Sequence, residues 1–394
     1  MNNYFLKILT FRISLLLVLA LSLVSSPMLL ESLSFSTPAL RGILATSSLT
    51  FLFLGTSKIE KIDLFVLFIL FCNFFLEFHW VSKVKSILSY LSIILIYFSF
   101  FRVLKANEIF RRIFFTMWIQ IAYFVSIAAV ALFFLNQTFP LERDYFQIES
   151  FFSLNPNNFK FHLLGITLDK PYGPFTLTRV YGYFIEPQYA GFYFTVNLLF
   201  AAYSGWFKNK RVWVILNLFA GAVTFSTTFY IALIPIGVLA FTNLPFRVLF
   251  YFVIFSLIVI FSIEYEVIRN ANILDLTSFA DRENRIRSAI QVVSKAPFDK
   301  LILGHGVEYQ NIYGGPAFSA GFFIALVERG IIGLSFVIFL MVSSLRRKVD
   351  GFMIFFLYLF AAPLYVNYLF WICILAIWTA EKTSKQINLQ KNLV

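Results

Sequence analysis

Residues 113–135 of the chain run IFFTMWIQIAYFVSIAAVALFFL, without a single charged side chain. A helix needs about 20 mostly apolar residues to cross the hydrocarbon core of a bilayer. Further runs of roughly this kind lie on both sides of it, at 11–30, 39–56, 62–80, 86–101, 188–206, 212–227, 229–242, 248–264, 317–345, 352–365 and 367–380. The sequence therefore predicts an all-α polytopic bundle of about twelve transmembrane helices, forming a single integral membrane domain over residues 1–394.

The composition supports this class of protein. Hydrophobic residues make up 60% of the chain and charged residues 13%, whereas soluble domains carry about 25% charged residues. Cys72 and Cys373 lie in apolar runs and give neither a disulfide framework nor metal-ligand spacing. The first apolar run lacks a cleavage site for signal peptidase, which predicts a retained first span. We expect no metal and no cofactor, since no nucleotide fingerprint is present either.

The basic residues set the predicted orientation. With the N-terminus in the cytoplasm, the cytoplasmic segments hold 18 of the 32 Lys and Arg residues. These are Lys7, Arg12, Lys58, Lys61, Arg102, Lys105, Arg111, Arg112, Lys208, Lys210, Arg211, Arg247, Arg346, Arg347, Lys348, Lys382, Lys385 and Lys391. The short outer connections hold only Arg41, Lys83 and Lys85. This positive-inside bias predicts that both termini are cytoplasmic.

Two long connections, 136–187 and 265–316, then face outward as periplasmic loops. Residues 136–185 carry four charges of each sign, and residues 265–316 carry six of each. The formal charge of +12 therefore reflects cytoplasmic residues that face anionic lipid, and it does not indicate nucleic-acid binding.

The outward position of the second loop depends on residues 212–242. As one helix, 31 residues would exceed a core about 30 Å thick, at about 1.5 Å per residue. Pro235 would also kink such a helix. We predict two short spans, broken at Ser226–Thr228.

The first long loop ends in a run that starts at Arg179 and passes through Tyr181 and Glu186 to Gln188. Pro187 suits the first turn of the following helix, and Glu186 suits its positive N-terminal dipole. Arg179 is either a functional cation or an interfacial arginine near lipid headgroups, flanked by tyrosines of the aromatic belt.

The second loop contains a predicted amphipathic helix over 281–297, in which Ile286, Ile290 and Val293 recur at helical spacing. Arg282 and Arg285 share a face of that helix, and two guanidinium forks suit a phosphate or pyrophosphate. The alternative is a solvated face on which acidic neighbours pair with these arginines.

Two further motifs contain glycine. Gly304-His305-Gly306 permits a tight turn and the close approach of a ligand to the backbone, although a lone histidine in a turn is more often structural. Glu328-Arg329-Gly330 places charges within an apolar run. We interpret it as a helix bend at Gly330 and Gly333, with the span proper starting near Ile331.

Together these segments resemble the O-antigen polymerase and ligase superfamily of bacterial inner-membrane proteins. The resemblance covers residues 179–345 and consists of motifs in a fixed order. They are Arg179 to Ala190 opening a helix, the break at Ser226–Thr228, Arg282 fifteen residues before Pro297 with Gly304 and Gly306, and Glu328 to Leu334.

The resemblance implies a fold of the GT-C type and a metal-independent inverting glycosyltransferase. Its substrate would be an oligosaccharide on undecaprenyl pyrophosphate, at the periplasmic face of the inner membrane. Arg179 and Arg282 would be the catalytic residues and hold the donor pyrophosphate. The expected substrate-binding residues are Tyr181, Glu186, Gln188, Arg285 and His305. Membrane lipids, a chain-length regulator and a flippase are the other expected partners.

One departure from the family pattern favours a polymerase. Ligases of this superfamily carry His-Asn nine residues before the glutamate of Glu-x-Gly, and this chain has Ser319 there. The general base is left unidentified, because no loop carboxylate stands out. The alternatives are a ligase that transfers to lipid A-core, and a flippase or other transporter. A transporter should show internal repeats, and the sequence contains none that we detect.

Overall fold

The computed structural model describes residues 8–16, 97–138, 159–162, 165–172, 175–184, 187–241, 287–306, 321–345, 348–361, 364 and 368–391. This part of the chain is mostly helical, as the all-α prediction requires. The spans predicted at 39–56, 62–80 and 248–264 lie outside the described residues.

The helices of the described part follow the apolar runs. Residues 8–16 form α1 and residues 97–106 form α2. The others are α3 (Glu108–Thr138), α4 (Pro187–Tyr203), α5 (Trp206–Asn209), α6 (Arg211–Ala222), α7 (Thr227–Phe241), α8 (287–295), α9 (Phe298–Leu303), α10 (Gly321–Ser344), α11 (Val349–Ala361) and α12 (Tyr368–Lys391). Among the described residues, α3 and α10 are long and apolar enough to cross a membrane. That is compatible with membrane insertion, and the bundle of twelve spans stays a prediction.

The chain divides into two compact units. The first comprises 1–65, 88–233 and 366–394, and the second comprises 66–87 and 234–365. In the first unit, α4 packs against α6 and α12, and both of these also pack against α3. Every residue of α4 from 190 to 201 is buried. A helix that is apolar all round belongs in the middle of a core, and α4 takes that position.

A polar cluster lies inside this apolar core. The Asn217 side-chain oxygen on α6 accepts hydrogen bonds from Ser126 Oγ on α3 (2.9 Å) and from Asn197 Nδ2 on α4 (2.8 Å). All three residues are fully buried. Side-chain hydrogen bonds of this kind link helices where lipid offers no alternative partner. The cluster therefore joins α3, α4 and α6.

The first long loop contains a three-stranded antiparallel sheet, which the sequence analysis did not predict. Its strands are β1 (Phe159–His162), β2 (Gly165–Tyr172) and β3 (Phe175–Gly182), in the order β1-β2-β3. Threonines at 176 and 178 alternate with Phe175 and Leu177, which is a strand period of two. That signal was present in the sequence, but it is short beside the long apolar runs.

The break predicted within 212–242 is present. α6 ends at Ala222 and α7 begins at Thr227, with Pro235 inside α7. The helices have 12 and 15 residues, or about 18 and 22 Å, so each is shorter than a hydrocarbon core of about 30 Å. In the described part of the chain, α6 packs along α3 and α4 rather than along α7. Two separate crossings here stay a prediction.

In the second unit, α8 and α9 pack on the first half of α10. α10 has the predicted bend at Gly330, where φ is 63° and ψ is −170°. Residues 287–295 form part of the predicted amphipathic helix, but its apolar face is different. Ala289 is buried with Val292 and Val293, whereas Ile290 is exposed. α11 also packs on α10. The rings of Phe322 on α10 and Phe360 on α11 stack with their centroids 4.7 Å apart.

Candidate functional site

Arg179 lies near the end of β3, opposite Leu168 of β2, and is half-buried. The next residue, Val180, is fully buried, and its N–H donates to the carbonyl of Val223 at 3.1 Å. Val223 belongs to the break between α6 and α7. Strand β3 is therefore fastened by its backbone to the helix break, and this fixes the backbone from which Arg179 projects.

The break itself is held by its hydroxyl side chains. Thr224 Oγ1 donates to the Gly221 carbonyl at 2.7 Å and accepts from the Ser226 N–H at 3.3 Å. The Gly221 carbonyl also accepts from the backbone N–H of residue 224 at 3.2 Å, and the hydroxyl adds local bonds of the kind that helix ends need. Phe225 adopts a positive φ of 48°, unusual for a residue with a side chain. The break therefore lies at residues 223–226, slightly before the predicted Ser226–Thr228, and the hydroxyl that closes it belongs to Thr224.

Glycines allow the surrounding helices to approach the break closely. A Cβ on Gly221 would lie 2.1 Å from the ring of Phe229, and one on Gly191 would lie 3.0 Å from Ser226. The start of α4 therefore packs directly against the start of α7. Pro187 is the first residue of α4, as predicted, and Gln188 in its first turn is half-buried.

Tyrosines surround the same region. The Tyr230 hydroxyl donates to the Ala222 carbonyl at 2.7 Å, and it lies close enough to Arg179 to interact with it electrostatically. Tyr183 stacks on Phe124 with ring centroids 5.9 Å apart. Burial raises the pKa of the Tyr183 hydroxyl, so it is a neutral hydrogen-bonding group at pH 7. Tyr230 was not among the predicted residues, because its proximity to Arg179 depends on the fold.

Tyr181 is 4% exposed. Its carbonyl accepts from the Phe184 N–H at 3.1 Å, which closes the turn after β3. The burial favours a packing role for the ring, and the predicted contact with substrate stays a prediction. Glu186, Arg282 and Arg285 lie outside the residues whose side chains the structure describes.

In the second unit, the structure brings together two motifs that the sequence analysis treated separately. The backbone N–H of His305 donates to the Val327 carbonyl at 2.8 Å, and that of Gly306 donates to the Glu328 carbonyl at 3.0 Å. His305 Nδ1 lies 3.2 Å from the same Val327 oxygen. The Gly304–Gly306 turn is therefore docked on the bend of α10, immediately before Gly330.

This docking requires glycine on both sides. Gly304 has a φ of 86°, and a Cβ there would lie 2.2 Å from the Glu328 carbonyl oxygen. A Cβ on Gly330 would lie 2.2 Å from the carbonyl oxygen of Ile302. Gly333 leaves room for Arg329, which is 4% exposed. The glycines of both motifs thus permit contact between two backbone segments.

The described residues contain no group of three or more His, Cys, Asp or Glu side chains that could hold a metal ion. No protein-family model, curated protein or solved structure matches this chain.

Proposed function

We propose that the protein is a polymerase of polysaccharide repeat units in the bacterial inner membrane. It would transfer a growing glycan from undecaprenyl pyrophosphate onto another lipid-linked repeat unit at the periplasmic face. The observation that carries the proposal is the position of Arg179. A half-buried guanidinium at the end of a strand that is hydrogen-bonded to a helix break is a preorganised cation.

In the proposed reaction, a hydroxyl of the acceptor sugar attacks the anomeric carbon of the donor. The bond from that carbon to the pyrophosphate oxygen breaks, and the configuration inverts. Negative charge then grows on the leaving pyrophosphate. Arg179 and Arg282 would bind its oxygens with forked N–H groups, which fit phosphate geometry. Partial burial strengthens this interaction, because water screens it less.

The proton released by the attacking hydroxyl needs an acceptor, and we leave that base unassigned. The remaining predicted residues would bind the donor or the acceptor. They are Tyr181, Glu186, Gln188, Arg285 and His305. Within this set, His305 has its backbone N–H and its Nδ1 directed at the Val327 carbonyl.

The choice of a polymerase over a ligase rests on Ser319, which occupies the position of the ligase histidine in the resemblance described above. The cellular location follows the same argument, with both termini in the cytoplasm and the site facing the periplasm. The long apolar helices α3 and α10 are compatible with that location.

A gene deletion tests the proposal at the level of the whole protein. Surface glycan from the deletion strain is separated by gel electrophoresis. A polymerase predicts acceptors that carry a single repeat unit, and restoration of long chains when the gene is returned. If acceptors carry no unit at all, the protein acts before or at ligation and the polymerase proposal is wrong.

A further inference from the structure

We propose that α8 and α9 rest on the outer leaflet of the bilayer, with Ile290 and Phe298 inserted among the lipids. This inference depends on the membrane insertion within the proposed function, and it adds a surface and a partner that the proposed reaction does not specify. The partner is the lipid surface itself.

α8 contacts α10 at a depth that corresponds to the outer boundary of the membrane. The residues after α10 are Arg346, Arg347 and Lys348, which we predict to be cytoplasmic. The span proper of α10 is predicted to start near Ile331, directly after the bend at Gly330, so residues 321–329 lie on the outer side of that bend. α8 packs on α10 through Phe323, Ile324 and Val327. That contact lies at the outer boundary of the hydrocarbon core.

α8 and α9 also leave large apolar side chains exposed. Phe298 is 77% exposed and Ile290 is 50% exposed. Both belong to short helices outside the predicted spans, and water does not favour large apolar side chains at such exposure. At the boundary of a bilayer the same side chains are stabilised, since they can bury in the region between headgroups and acyl chains.

The segment formed by α8 and α9 is also basic. Residues 287–303 carry Arg287, Lys295 and Lys300 against Asp299, a net charge of 3 − 1 = +2. Arg287 is exposed and lies three residues before Ile290, on the same side of α8. Exposed apolar side chains beside basic ones are typical of interfacial helices, which meet anionic headgroups with the basic residues.

The position also has a consequence for the proposed reaction. α9 ends at Leu303, and the following Gly304–Gly306 turn docks at Val327 and Glu328, immediately outside the bend at Gly330. An interfacial α8 and α9 would hold this turn at the height of lipid phosphates. The pyrophosphate of a lipid-linked donor lies at the same height.

The test uses the full chain in proteoliposomes of phosphatidylethanolamine and phosphatidylglycerol. Single cysteines are introduced in a Cys72→Ser background and labelled with the environment-sensitive dye NBD. Cys373 is fully buried and should stay unlabelled. Phe298→Cys and Ile290→Cys report on the surface that we propose to be inserted among the lipids. Lys295→Cys is the matched control, because it points about 140° away from Ile290 on the same helix.

We expect the labels at 298 and 290 to emit at shorter wavelength and to lose most of their fluorescence with spin-labelled lipid. The label at 295 should remain water-like. Val342→Cys on α10, an exposed position in the predicted span, should be lipid-like and verifies membrane insertion. Water-like labels at 298 and 290 with a lipid-like label at 342 would overturn the inference. A water-like label at 342 would instead contradict the membrane insertion on which both proposals depend.

Discussion

Two helix breaks in this molecule are closed by different chemistry. In the first unit, the break between α6 and α7 is closed by the Thr224 hydroxyl and by the N–H of Val180 from β3. In the second unit, the bend of α10 is contacted by the backbone of the Gly304–Gly306 turn, through two glycines that approach each other's chain. The first break depends on hydrogen bonds from one side chain and one backbone group, and the second depends on two backbone segments in direct contact.

The two breaks should therefore differ in which substitutions destabilise them. Where a hydroxyl supplies the bond, its removal leaves one or two backbone groups without a partner. Where two backbones touch, any added carbon atom must displace one of them. The bend of α10 should therefore be the more sensitive of the two regions to a minimal substitution.

The largest effect is expected for Gly330→Ala. The new Cβ would lie 2.2 Å from the Ile302 carbonyl oxygen, and φ at 330 is 63°. Backbone strain and overpacking together should cost about 2–5 kcal/mol. Thermal unfolding of the purified variant in detergent should show a much lower midpoint than the parent.

Alanine substitutions at two other glycines distinguish the cost of backbone strain from the cost of overpacking. Gly205→Ala has a φ of 72° but nothing within 4 Å of the new Cβ, so strain alone should cost about 1–2 kcal/mol. Gly237→Ala lies within α7 in open space and should stabilise by up to about 1 kcal/mol. If all three variants unfold at the same temperature, the backbone contact does not hold the bend.

An intermediate effect is expected for Thr224→Val at the first break. Valine keeps the shape but removes the bonds to the Gly221 carbonyl and from the Ser226 N–H. The Ser226 N–H loses its partner, while the Gly221 carbonyl keeps the bond from the backbone N–H of residue 224, so the change should cost about 1–3 kcal/mol. The same unfolding assay measures it.

Thr195→Val serves as the control for this substitution. Thr195 is also fully buried, and its hydroxyl donates to the Gly191 carbonyl four residues earlier within α4. Such a bond adds little to a regular helix, so this variant should unfold near the parent temperature. An equal loss in both variants would mean that Thr224 has no special role in closing the break.

The smallest effect on stability is expected for His305→Ala. The turn is held by backbone N–H groups, so loss of the imidazole should cost about 1 kcal/mol or less. His305→Pro removes the N–H that donates to Val327 and should destabilise clearly more. If alanine is as harmful as proline, the imidazole and not the backbone holds the turn.

Much of the helical fold could be predicted, because long apolar runs dominate the sequence. The breaks were also predictable, since Ser226–Thr228 and Gly330 interrupt those runs with residues suited to helix ends and bends. The sheet was missed, because three short strands give a weak alternation inside a polar loop. Val293 packs on the buried face of α8 as predicted, but Ile290 is exposed, because the buried face depends on which side α10 covers and Ala289 carries no strong apolar signal.

The candidate site residues stay predictions from the sequence, whereas the contacts that support them come from the fold. Arg179 stood out as a cation at the edge of an apolar run. Nothing local indicates that Val180 pairs with Val223, or that the turn at His305 docks on Val327, because these partners are 43 and 22 residues apart. Tyr230 became visible as a neighbour of Arg179 only through the fold.

The proposed polymerase function requires that Arg179 binds the donor pyrophosphate during chain extension. The most direct measurement is glycan extension by purified protein in liposomes that contain undecaprenyl-pyrophosphate-linked repeat units, with Arg179→Ala compared with Arg112→Ala. Arg112 is a surface arginine of α3 that pairs with Glu108 at 2.7 Å, so its loss should change little. We predict that Arg179→Ala unfolds like the parent but loses chain extension by at least about a hundredfold, while Arg112→Ala keeps it. Normal chains made by a correctly folded Arg179→Ala would contradict the account.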